Sequence, residues 1–469
     1  MQVREHHGVE LGVVAVAAQL REHAVAAVQQ ERRLAVLHQI AAAGPAGVLP
    51  RRRLAEDSDP HVWDSTPVTS YETGVLVLGA LLVGGALVSG LAGRSFLSLT
   101  AVFVVAGFAL GGDGLDVLRF DARSGFVRDV AITALVVILF RDGLEVEFEM
   151  LQRAWRPPLR KLVVGMPVTA GIVAVAAKAL VGLSWTEAFL LGALLSPTDP
   201  VLSNAVVTNP RVPRTVRHSL NLESGLNDGL ALPPVLALTA ALAPGGGNFD
   251  AATFVLQDVG LGLAYGLVLG ALASLLMPRP GPLERDEIPA HQKSLYALGC
   301  AFAIYGLTVL PPHGNGFIAV YVGAIVLGIR RPDLRGYFER RADDIIEIAK
   351  LGVFVVFGSL LTFGGLFDAG VGAAAIVAVT LLVARPVAIW LALVGTGLDR
   401  ATKAFMAWFG PKGIATMAFS LLVLGRDLSA GEAIFNLAAL TVFCSIIVHG
   451  LTDTPGVGWL ARRAEPEPA

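Results

Sequence analysis

Apolar runs of about 20 residues recur along this chain, each long enough to cross a hydrocarbon core of about 30 Å. Inside such a core every backbone amide and carbonyl must find its partner within the protein, so runs of this length must be helices. Composition agrees with that constraint. The chain is 54% hydrophobic and only 16% charged, where a soluble globular protein carries about 25% charged residues. Its 469 residues would make about three soluble domains, yet no polar linker divides the middle. The net charge of −2 gives no footing for nucleic acid. The expected fold class is therefore an all-α polytopic membrane protein.

Thirteen spans are expected, near residues 73–92, 95–112, 126–142, 159–181, 184–206, 217–243 and 251–277, then 292–311, 315–330, 346–365, 371–396, 401–425 and 431–452. Inner loops of membrane proteins are enriched in Lys and Arg. With thirteen spans the odd-numbered loops hold 20 such residues and the even-numbered loops 4. Arg153, Arg160 and Lys161 are counted on the odd side, as are Arg330, Arg331, Arg340, Arg341 and Lys350. The N-terminus is thus expected outside and the C-terminus in the cytoplasm, in a bacterial-type inner membrane with lipid as a partner. A short cytoplasmic tail is expected over 456–469.

Residues 1–72 read differently, being Ala-, Arg-, Glu- and Gln-rich with an Arg51-Arg52-Arg53 triplet. They are expected to be an extension that is disordered or lies ahead of the true start, for example at Val68. Cys300 and Cys444 sit in apolar runs, as free buried thiols do.

An ionisable group in a bilayer costs about 2.5–3.5 kcal/mol on insertion scales, so each one marks a candidate functional position. The fifth run carries Ser196-Pro197-Thr198-Asp199-Pro200. Two prolines around Thr198 and Asp199 should break the helix there, and a break at membrane depth is tolerated where it lines a cavity or site. The plainer alternative is a kink in which Asp199 caps the second half-helix. The sixth run reads Glu223-Ser224-Gly225-Leu226-Asn227-Asp228. Helical spacing puts Glu223 and Asn227 on one stripe and Ser224 and Asp228 on the next. The second stripe offers a hydroxyl and a carboxylate, both hard oxygen ligands.

Arg385 in the eleventh run needs a buried carboxylate, and Glu223 is the expected partner. The twelfth run holds a second breaker, Gly410-Pro411-Lys412-Gly413. If runs 1–6 and 8–13 form two six-helix repeats, both breaks fall at position five and the repeats are inverted. Paired broken helices in inverted repeats are the pattern of secondary transporters. Among the remaining polar residues, Arg141-Asp142 ends the third run, where it would line an inner funnel, and His218 lies at the inner end of the sixth.

Together these motifs resemble the cation–proton antiporter superfamily, in its CPA1-type sodium/proton antiporter branch, from about Tyr71 to Pro455. The resemblance implies a core of two crossed broken helices with runs six and eleven (near 159–243 and 371–452), a scaffold that forms a homodimer, and alternating access. It implies that Asp228 binds the ion or the proton, and that Asp199, Ser224 and the Thr198 carbonyl help ligate Na⁺. It places Glu223, Asn227 and Arg385 in a structural cluster beside the site. Lys412 stands where Arg is common and would balance helix-end dipoles. No catalytic residue, cofactor or nucleic-acid partner is implied; the cargo is Na⁺ (or Li⁺) and H⁺.

The neutral amide of Asn227, in place of a second acid, points to electroneutral one-for-one exchange. Potassium/proton exchange on the same scaffold is the nearest alternative. An intramembrane aspartyl protease using Asp199 and Asp228 is a remote one, because it leaves Arg385 and the second break unexplained.

Overall fold

The computed structural model describes residues 99–146, 156–199, 211–244, 249–278 and 289–463, with isolated positions between 76 and 87 and at 206 and 209. The extension expected over 1–72 and the last six residues of the expected tail lie outside the described residues. Among the described residues every regular element is helical, with no strand.

Leaving aside a short helical turn over Phe363–Phe367, the described helices of eight residues or more are, in chain order, α1 (Leu99–Leu110), α2 (Gly125–Leu144), α3 (Arg156–Val181), α4 (Trp185–Leu194), α5 (Arg214–Leu242), α6 (Ala251–Leu276), α7 (Ala290–Val309) and α8 (Gly316–Arg330). Then come α9 (Pro332–Ser359), α10 (Gly370–Ala392), α11 (Arg400–Trp408), α12 (Ile414–Leu424) and α13 (Gly431–Ala461). By length and composition α3, α5, α6, α10 and α13 can each cross a membrane alone. The shorter α4 and α11 end where the two breaker motifs begin, and α12 starts directly after the second.

Two helix groups form. α6, α7 and α8 pack together, with α8 against α2 and with α9 against α1, α2 and α7. The other group joins α3 to α4 and α10, α4 to α5, α10 to α11, and α12 to α13. α2 and α9 both touch α12, so they are where the groups meet. The sorting of side chains on α6 shows what surrounds the protein. Gly262, Gly266 and Gly270 face α8 so closely that a Cβ on Gly270 would lie 2.6 Å from the Gly323 carbonyl oxygen. On the other side Leu267, Val268, Leu272, Leu275 and Leu276 are exposed. Small residues inside and large aliphatic ones outside are the arrangement of a helix in lipid.

Two boundaries differ from the sequence reading. α9 starts at Pro332 rather than near 346, because proline is pre-organised for the first helical position and Leu334, Phe338 and Ile346 are all buried. α13 continues past 452 to Ala461, with Val457 and Leu460 buried near Phe405 and Phe409. The segment expected as a tail therefore begins as packed helix.

Candidate functional site

The two breaker motifs meet. The chain leaves α4 at Leu194 and is non-helical over 197–199; it leaves α11 at Trp408 and is non-helical from Phe409 to Gly413, those two end residues being extended. Where the non-helical pieces cross, the Asp199 amide donates to the Pro411 carbonyl at 2.9 Å. Each break then caps a helix of the other. Asp199 Oδ2 accepts from the Ile414 amide, the first residue of α12, at 3.3 Å. Lys412 Nζ donates to the carbonyls of Ser196 and Pro197, just past the C-terminal end of α4, at 3.4 and 3.1 Å. A carboxylate at a helix N-terminus and an ammonium at a C-terminus both oppose the helix dipole. Asp199 thus caps α12, the half-helix that follows the other break.

Glycine is needed at this crossing for space. A Cβ on Gly413 would lie 2.1 Å from the Asp199 Cβ, and one on Gly410 would lie 1.9 Å from the Arg385 guanidinium.

α5 lies against the same crossing. Ser224 Oγ donates to the Thr198 carbonyl at 2.9 Å, and Asn227 Nδ2 donates to that carbonyl at 2.8 Å and to Thr198 Oγ1 at 2.9 Å. The two stripes converge on one peptide group. Asn227 therefore holds the broken helix, whereas the sequence reading had grouped it with Glu223 and Arg385.

Glu223 does receive Arg385: Nη1 donates to Oε1 at 3.0 Å, while Nη2 reaches the Phe409 carbonyl at 3.0 Å. A second cation completes the cluster. Lys161 Nζ donates to Glu223 Oε2 at 2.6 Å and to the Ser219 carbonyl at 3.0 Å, with its side chain wholly buried. The loop rule counts Lys161 among the loop cations, yet it falls inside the 159–181 apolar run, and that position is the sequence signal for a buried charge. Both cations sit at widened turns. Lys161 opens a π-helical turn over Lys161–Gly165, and Arg385 directly follows another over Val379–Ala384. Such turns are common at functional positions because they re-aim side chains.

Asp228, one turn beyond Ser224, is buried where the two helix groups meet. The carboxyl of Asp142, from the end of α2, lies within hydrogen-bonding reach of it, and Asp199 is close enough to act on it electrostatically. Tyr321 of α8 closes one side: its hydroxyl donates to the Gly225 carbonyl at 2.8 Å and its ring lies against Gly229. Lys350 of α9 faces both Asp142 and Asp228 from inside the protein, and so is a second supposed loop cation that is buried. The sequence marked Asp142 only as the end of a run. Its approach to Asp228 spans 86 positions of chain and no local pattern encodes it.

Chemically, Asp142 and Asp228 put two carboxyls in contact between two helix bodies, and on the same helix as Asp228 the Ser224 hydroxyl and Asn227 amide hold the Thr198 carbonyl of the broken helix. Oxygen donors of this kind take hard cations or protons. The described residues contain no group of three or more His, Cys, Asp or Glu arranged to hold a metal ion.

Comparison with known proteins gives three results. The family model described as "Sodium/hydrogen exchanger, transmembrane" matches residues 77–459. Among curated proteins, the K(+)/H(+) antiporter NhaP of Alkalimonas amylolytica is 27% identical over 397 residues, which is 84% of this chain and 68% of that protein. The Na(+)/H(+) antiporter NhaH of Halobacillus dabanensis is 26% identical over 377 residues, covering 75% of this chain and 89% of the relative. Among solved structures, the sodium proton antiporter MjNhaP1 of Methanocaldococcus jannaschii superposes with a TM-score of 0.71 at 18% identity, over 81% of this chain and 99% of that one. That last likeness is one of fold.

Proposed function

The chain belongs to the transmembrane sodium/hydrogen exchanger family, and from that premise we propose that it exchanges one Na⁺ (or Li⁺) for one H⁺ at Asp228. The carrying observation is the place of Asp228: a buried carboxyl beside two crossed broken helices, touching a second carboxyl, at the seam between two helix groups. Two carboxylates in contact repel one another, so either a proton or a cation must lie with them. Occupancy by one excludes the other, which is the requirement for exchange.

Asp228 is the group that alternates between proton and ion in this reading. Ser224 and Thr198 supply neutral oxygens, and Asp199 adds charge at longer range while holding α12. Glu223, Lys161 and Arg385 brace α5 against α3 and α10, and Asn227 and Lys412 keep the broken segment in register. Alternating access follows from movement of the broken-helix group against the other at the Asp228 seam. Lipid and a second copy of the chain are the expected partners, with the basic loops on the cytoplasmic side.

Potassium is the second reading, favoured by one observation: the relative from Alkalimonas amylolytica is named as a K(+)/H(+) antiporter. Carboxyl, hydroxyl and carbonyl oxygens accept each of these alkali cations.

The test is dye-quench transport in proteoliposomes with Na⁺, Li⁺ and K⁺ in turn, with and without an imposed membrane potential. Asp228→Asn is expected to lose exchange while remaining monodisperse in detergent. Native rates in that variant would overturn the site. Exchange that follows the imposed potential would overturn the one-for-one stoichiometry.

A further inference from the structure

The Asp142–Asp228 contact raises a question of charge. A site with two acids should hold one more positive charge than a site with one, yet the neutral Asn227 argues for exchange of single charges. Lys350 bears on this directly. It lies in the middle of α9, its side chain is 5% exposed, and α9 packs against α2, which carries Asp142. Among the described residues no carboxylate lies within ion-pair distance of its ammonium. The charged groups around it are Asp142, with the Arg141–Glu145 ion pair beside it on α2 at 3.0 Å, Asp228 on α5, and Glu347 one turn earlier on α9. Arg141 and Glu145 neutralise each other, which leaves Lys350 facing the two carboxyls.

We propose that Lys350 is a tethered counter-cation of the Asp142–Asp228 pair, offsetting one of its two charges so that a single transported cation or proton completes the site. This rests on the reading of Asp228 as the exchange site. Lys350 then sets affinity: an incoming cation meets a pair already half neutralised and is repelled by the tethered ammonium that faces it. Lysine suits the role because its charge sits at the end of a flexible stem, which can draw back without leaving the protein when the transported ion arrives.

The experiment compares Lys350→Gln and Lys350→Arg with the native protein in proteoliposomes, reading the KM for the transported cation separately from the maximal rate. Removing one buried unit charge that acts on the pair should lower KM about tenfold in Lys350→Gln. Lys350→Arg keeps the charge and should leave KM near native. Cation-induced thermal stabilisation of the detergent-purified variants gives the same comparison without transport. A maximal rate that falls in both variants with KM unmoved would overturn the proposal, since that is the signature of a packing role. Failure of Lys350→Gln alone to fold supports it, because only the charge is missing; failure of both variants to fold overturns it. Asp228→Asn separates the two readings. If that variant transports, the site itself is wrong; if it is inactive while Lys350→Gln keeps its KM, only the role of Lys350 falls.

Discussion

Lys161 Nζ stands 2.6 Å from Glu223 Oε2 while Arg385 Nη1 stands 3.0 Å from Oε1 of the same carboxylate, all three side chains being buried. One anion thus holds two cations from two other helices. Breaking a buried ion pair by removing one partner costs about 3–5 kcal/mol, because the other charge is stranded. The triad ranks the possible losses. Lys161→Met leaves Glu223 with Arg385 and should be the mildest. Glu223→Gln leaves two cations facing each other and should cost most, about 3–5 kcal/mol. Adding Lys161→Met to Glu223→Gln should recover part of that loss. Thermal unfolding in detergent measures the order, and a double variant less stable than Glu223→Gln alone would contradict this account.

The crossing of the broken helices depends on absent side chains. Gly410→Ala would drive a methyl group into the Arg385 guanidinium, and Gly413→Ala would drive one into Asp199. Overpacking in a filled interior costs about 1–3 kcal/mol or more, and here it would also displace residues at the site. Both variants are expected to lose transport and stability together. Gly171→Ala on α3, where a Cβ meets nothing within 4 Å, serves as the control and should behave like the native protein in transport assays and melting curves.

The Thr198 carbonyl accepts from both Ser224 and Asn227. Ser224→Ala removes one donor and leaves the other, so the broken segment should stay in place at a cost of about 1 kcal/mol. Asn227→Asp removes the amide that reaches both oxygens of Thr198 and brings a carboxylate that, when ionised, only accepts. It should therefore lower the transport rate more than Ser224→Ala does. A rate above that of Ser224→Ala, with a new dependence on membrane potential, would show instead that residue 227 joins in carrying charge.

At the membrane edge, Arg331 connects the start of α9 to the end of α6. It donates to both oxygens of Asp333, at 2.9 and 2.8 Å, and to the carbonyls of Met277 and Pro278. The hydrogen bonds from Arg331 hold the Asp333 carboxyl below its usual range. A depressed folded value means that this pairing adds stability above the unfolded pKa of about 4 and loses it as pH falls through the folded value. Asp333→Asn should therefore destabilise by about 1–2 kcal/mol near neutrality. The gap from the native protein should close below about pH 4. Melting curves of both proteins at the two pH values decide it, and a gap independent of pH would show that the charge is not what matters.

Much of this was legible from local pattern because lipid makes the grammar strict. Apolar length gives helices, proline and glycine at membrane depth give breaks, and a buried arginine implies a buried acid. The expectation that Arg385 pairs with Glu223 rests on that last rule together with the stripe that Glu223 shares with Asn227. Helix ends were less legible. Beyond the apolar runs α9 and α13 are extended by packing of Leu334, Phe338, Val457 and Leu460, and packing depends on neighbours distant in sequence.

By itself, the sequence determined the all-helical membrane class, the two breaks, and Glu223 and Arg385 as interior charges that need partners. The physical reason is that a hydrocarbon surrounding leaves a charge or a broken backbone so few options. Only the tertiary structure decided which group pairs with which. It moved Asn227 from the Glu223 cluster to Thr198 and turned Asp199 toward α12. It also took Lys161 and Lys350 out of the loops, and set Asp142 of α2 beside Asp228 of α5. Pairings of this kind arise where helices cross, and a crossing joins residues that share no period, spacing or turn.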